Sequence, residues 1–269
     1  MSELFALLVL ALLALPAAAT TVPDATFTSQ ITDSAGNSPP SFNQPSAVST
    51  SFSGCDTVGG ANGCWNDSLF LEYVGGTGIA STQMSYSGTA VSPTLQTSGI
   101  VNFWFEVVGP GNVEVPLDFA VSEAVSASAT NDGNVGVLAI ADPSLNGAPV
   151  SGICAYTTNV TTCEGYPVLS SLEETVSGTV TANVPTQGYI QVVGGIFPPG
   201  YPQNLLPYSG SYSASIDPSI TFDPSFTLPG YSLVFSADAV PPGTAPEPAT
   251  LALLGVALAG LRFSRRRLN

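Results

Sequence analysis

The chain has 269 residues, of which 19 are acidic, four are basic and none is histidine, for a formal net charge of −15. The four basic residues are arginines beyond residue 261, and every acid except Glu3 and Glu247 lies within residues 20–245, so that stretch holds acids and no cation. It cannot neutralise phosphate, which excludes nucleic acid and anionic membrane surfaces as its partners, and it offers neither a histidine nor a lysine to activate a nucleophile.

The first element is an apolar segment at residues 4–15 (LFALLVLALLAL), followed by Pro16 and three alanines. Ala17 and Ala19 form an A-x-A cleavage pattern, so residues 1–19 read as a signal peptide with a helical core. The usual basic residue is missing before that core, where the sequence is Met1-Ser2-Glu3.

Residues 20–240 then read as one exported domain, long enough to bury a substantial core. Apolar residues alternate with polar ones. Val101, Phe103, Phe105 and Val107 form one series and Val113, Val115, Leu117, Phe119 and Val121 another, with Pro116 marking an edge or a bulge. Further strands are expected at 48–52, 69–74, 135–140, 175–184, 189–193, 212–216 and 231–237. Turn residues punctuate them, including Gly75-Gly76, Gly109-Pro110-Gly111, Asn131-Asp132-Gly133, Gly194-Gly195 and Pro198-Pro199-Gly200. Roughly ten to twelve short strands and almost no helical pattern outside the two termini predict an all-β fold, an antiparallel, jelly-roll-like β-sandwich.

Cys55 and Cys64 share the spacing C-x8-C with Cys154 and Cys163. Four cysteines allow three pairings; equal local spacing favours Cys55–Cys64 and Cys154–Cys163, in an oxidising compartment if the chain is exported. Zinc is disfavoured by the spacing and the lack of histidine.

Candidate chemistry in this domain is sparse. Carboxylate-pair catalysis could draw on Glu106, Glu114, Glu173 or Glu174. No cofactor is expected, calcium being a weak candidate at Asn131-Asp132-Gly133-Asn134, at Asn62 with Asn66 and Asp67, or at Asp217 and Asp223, where turn formation before proline is the plainer reading. Trp65 at the first Cys loop, with Tyr201 and Tyr208, could stack on sugar rings or simply cover the ends of the sandwich; Trp104 could cover the opposite face of its sheet.

Residues 241–245 (PPGTA) form a stiff linker. Beyond it come Pro246, Glu247 and Pro248, an apolar run at 249–261, and then Arg262, Arg265, Arg266 and Arg267. As a helix the run spans about 20 Å, short of the roughly 30 Å of a bilayer core, which suits a transient anchor. The arginines fix its C-terminal side in the cytoplasm, and the two prolines keep the motif extended.

This order of motif, apolar run and arginines resembles the PEP-CTERM sorting signal of Gram-negative bacteria that make exopolysaccharide. The resemblance covers residues 246–269. It implies that Pro246, Glu247 and Pro248 are recognised by an exosortase-type processing enzyme, a membrane-embedded cysteine transpeptidase, while the apolar run sits transiently in the inner membrane as a helix. It further implies a cell-surface or extracellular destination and a non-catalytic structural or adhesive role in the envelope or exopolysaccharide matrix. The alternatives are a carbohydrate-binding module and, behind it, a glycan-active enzyme.

Overall fold

Alternation with a period of two places one set of side chains on each face of a strand, and the computed structural model shows what that alternation builds. It describes residues 22–32, 42–44, 47–58, 61–74, 77–88, 95–130, 134–157, 165–197 and 208–237. The expected signal peptide, linker and sorting tail lie outside the described residues, as does Tyr201. Within them there are thirteen strands and no helix.

The strands form two antiparallel sheets. The seven-stranded sheet runs β2 (Phe42–Gln44), β1 (Thr26–Thr32), β6 (Leu95–Val108), β11 (Thr186–Phe197), β8 (Asn134–Asp142) and β9 (Ser151–Tyr156), with β13 (Ser232–Phe235) also paired to β6. The six-stranded sheet runs β10 (Ser171–Thr181), β7 (Glu114–Ala129), β12 (Tyr208–Phe222), β5 (Thr77–Gly88), β4 (Ala61–Val74) and β3 (Val48–Val58). Their inner faces share one core, to which β6 contributes Val101, Phe103 and Phe105, and the facing sheet Leu69, Leu71, Leu117, Phe119 and Tyr212. Each such side chain, fully buried, contributes about 1.5–3 kcal/mol of transfer free energy.

Three expectations are corrected by this arrangement. Gly194 and Gly195 are no turn but the interior of β11, and Gly194 is buried beneath the ring of Tyr212 from the other sheet. A Cβ at Gly194 would stand 2.2 Å from that ring, so glycine here admits an aromatic side chain. Asp217 and Pro218 lie inside β12. Pro116 is in an interior strand, β7, yet its register is past the end of β12, where Asp223 N–H donates to its carbonyl; the missing N–H therefore breaks no ladder.

Both described ends of the chain meet on β6. β1 and β13 pair with successive stretches of that strand, and Ser236 bridges them. Its hydroxyl accepts from Trp104 N–H at 2.8 Å and reaches the carbonyl of Pro23 at 2.9 Å, while its own N–H donates to Trp104 O at 2.9 Å.

Candidate functional site

The outward face of the six-stranded sheet is built largely of serine. Cross-strand register arranges these residues in rows. One row reads Ser53, Asn66, Ser85, Ser211 and Ser128 across β3, β4, β5, β12 and β7; the next reads Ser51, Ser68, Gln83, Ser213 and Ser126. A third begins Ser49, Phe70, Ser81 and Ser215. Strand geometry repeats the hydroxyls about every 4.8 Å along a row and about every 6.8 Å between rows. Ser126 and Ser213 share a hydrogen bond of 2.8 Å, and Ser128 and Ser211 one of 2.7 Å. An open groove of about 730 Å³ crosses the rows, lined among others by Ser51, Ser68, Phe70, Gln83 and Ser213. None of its lining residues is ionisable.

At one end the rows are closed by a disulfide. Cys55 and Cys64 are direct cross-strand partners and are bonded to each other. The expected Cys loop is thus a hairpin, with β3 running on to Val58 and β4 starting at Ala61. Cys154 is disulfide-bonded and buried; its expected partner, Cys163, lies outside the described residues.

The carboxylates divide differently from expectation. Glu106 is buried opposite Val234 of β13. Glu114 accepts from Thr181 Oγ1 at 2.8 Å at the start of β7, and Glu173 is exposed on the outer face of β10. Glu174 faces inward, and its neighbour is Glu123, which occupies an apolar position between Val121 and Val125. Burial, and then the negative charge of Glu174, push the Glu123 carboxyl up to about 7. Ser151 Oγ on β9 donates to Glu174 Oε2 at 3.1 Å and stands near enough to Glu123 to offset part of that rise. Asp67 is the other buried acid. It accepts from Thr97 Oγ1 inside the core, beside Tyr212, and burial raises its carboxyl to about 6 against the opposing hydrogen bonds.

Of the suggested calcium loci, Asp67 points into the core while Asn66 points out, so the two do not converge; the side chain of Asn62 and residues 131–133 lie outside the described residues. Asp223 behaves as a turn residue, with Ser225 N–H donating to its Oδ1 at 2.6 Å, and these bonds lower its pKa. Among the described residues no three of His, Cys, Asp and Glu gather closely enough to hold a metal ion.

The aromatic candidates are also reassigned. Trp65 is 8% exposed and its ring packs over Gly54, and Tyr208 is 4% exposed with its ring 5.6 Å from Tyr86. Both belong to the core and are closed to a sugar. Trp104 is half-buried on the outward face of the seven-stranded sheet. The serine rows escaped the sequence reading because each strand shows only a few alternating serines; register alone assembles them.

Comparison with known proteins adds the terminal signal. The model of the PEP-CTERM protein-sorting motif matches residues 244–267 at the C-terminus. Such a signal implies an exported protein that is held in the membrane, processed by an exosortase-type enzyme and passed to the cell surface. No curated protein matches the chain. Among solved structures, a loop-swap mutant of Necallimastix patriciarum Xyn11A is 11% identical, covering 70% of this chain and 100% of its own at a TM-score of 0.18. That likeness carries no argument.

Proposed function

We propose that the exported domain is a non-catalytic component of the cell envelope or exopolysaccharide matrix, and that it contacts neutral polysaccharide through the serine rows of the six-stranded sheet. The carrying observation is the register of those rows, which turns scattered serines into a continuous hydroxyl surface. A hydroxyl both donates and accepts, so the rows can complement sugar hydroxyls in either sense. Serine is a side chain suited to adaptable hydrogen bonding at binding surfaces.

Charge selects the class of polymer. The groove itself has no ionisable group, so binding there carries no cost of desolvating an ion. The surrounding domain, acidic and without cations, repels anionic chains. Phe70, half-buried within the groove, offers an apolar surface to the C–H face of a sugar ring. Both described chain ends lie along β6 in the other sheet, away from the serine face.

The enzyme reading has less support, because Glu123 is enclosed between the sheets rather than set across a cleft. Two experiments test the proposal. Replacing Glu247 by Ala should leave full-length protein in the inner membrane, and an unchanged mature mass would refute the assigned sorting role of the motif. Retardation of the surface-released protein in gels containing neutral exopolysaccharide tests the contact surface, and free migration would refute it.

A further inference from the structure

We propose that Glu123 and Glu174, together with Ser151, form the protein part of a divalent-cation site of the calcium type where β7, β10 and β9 meet. Glu123 is 1% exposed, and neither of its carboxyl oxygens has a hydrogen-bond partner. A buried carboxylate left in that state is heavily penalised. Proteins ordinarily answer it with an arginine or a lysine, but residues 20–245 contain neither. The neutralising charge must come from outside the domain, as a proton or as a metal ion.

Charge favours the metal. A single proton neutralises one of the two carboxylates, whereas a divalent cation balances both. Oxygens that ligate calcium sit about 2.3–2.6 Å from the ion, so the two carboxyls need only converge on one point. The two side chains are placed for this, since Leu172 pairs with Glu123 and Glu174 follows two residues along the same face of β10.

The donor set also names the ion. Two carboxylates and a hydroxyl are hard oxygen ligands, which suit calcium or magnesium over zinc or copper. Ser151 belongs to the seven-stranded sheet and both glutamates to the six-stranded one, so the ion would tie the sheets together. With only two carboxylates, the remaining ligands would be water or backbone carbonyls, a composition matching the affinities of about 0.1–1 mM found in extracellular modules. Calcium tolerates such incomplete and irregular coordination better than magnesium, which demands a near-ideal octahedron.

The test uses the full chain purified in detergent, with thermal unfolding followed in calcium chloride, in magnesium chloride at equal ionic strength, and in a chelator. About 10 mM calcium should raise the midpoint by roughly 2–4 °C relative to chelator. Glu123→Gln and Glu174→Gln should each abolish the rise, and Glu173→Gln, whose side chain faces outward, should retain it. If Glu123→Gln fails to fold, Glu174→Gln decides the matter alone. An unchanged wild-type midpoint, an equal rise with magnesium, or a full calcium response in Glu174→Gln would each overturn the site. None of these outcomes depends on polysaccharide contact.

Discussion

The two outward faces of the molecule differ although the same alternation builds both. On the seven-stranded sheet the outward residues are mixed and often large, with Ile100, Asn102 and Trp104 on β6 beside Tyr189, Gln191 and Val193 on β11. Part of that face is covered, for the chain at Tyr166 and Pro167 lies over β9, where Gly152 leaves room for the ring of Tyr166. The outward face of the six-stranded sheet is small, uncharged across its central rows and open. Inner faces are constrained by burial, and outer faces are not. The serine rows are therefore a difference between the faces that burial alone does not dictate.

Several experiments can break or sharpen that comparison. The largest effect should come from crossing from outer to inner face. Gly194→Val thrusts a side chain into the Tyr212 ring and should cost about 3 kcal/mol or more, whereas Ser213→Val on the outer face should change stability by less than about 0.5 kcal/mol. Denaturant midpoints of the two variants measure the contrast directly.

A pH series probes the buried acid beneath the rows. Folding raises the Asp67 carboxyl from its ordinary 3.8 to about 6, so the folded state holds the proton more tightly than the unfolded one. Its contribution is full below about pH 4 and is lost as pH rises through about 6, a change of up to about 3 kcal/mol. Asp67→Asn should flatten this part of the profile; a wild-type stability independent of pH between 4 and 6 would contradict the burial argument.

Next in size is the disulfide that closes the rows. Replacing Cys55 and Cys64 by serine should cost about 2.5 kcal/mol through the unfolded chain, while polysaccharide retention should be kept at temperatures where the variant is folded. The smallest contrast separates two serines. Ser236→Ala removes the bridge among Pro23, Trp104 and β13 and should cost about 1–2 kcal/mol. Ser213→Ala, on the exposed face, should cost less than about 0.5 kcal/mol.

Much of the fold was legible in sequence because large apolar residues alternate plainly in β6 and β7. β5 was not, since its inward residues are Ala80, Thr82, Met84 and Tyr86, a mixture without a strong apolar period. The glycines of β11 looked like a turn because the facing Tyr212 cannot be seen in one dimension. Glu123 and Asp67 do leave a trace, each being an acid at an apolar position of its strand, between Val121 and Val125 and between Trp65 and Leu69. The partner of Glu123 is 51 residues away on another strand and only pairing reveals it. The terminal signal was legible because its chemistry is local, carried by Pro246, Glu247, Pro248 and the arginines that follow.

Affinity gel electrophoresis in a neutral exopolysaccharide puts the proposed role of the serine face to its most direct test. The double variant Ser68→Glu/Ser213→Glu places two charges in the groove and should weaken retardation at least about tenfold, equivalent to about 1.4 kcal/mol, while Asn102→Glu/Gln191→Glu on the opposite sheet should migrate as wild type. Equal retardation of both variants, or loss only in the second, would contradict the assignment of this face.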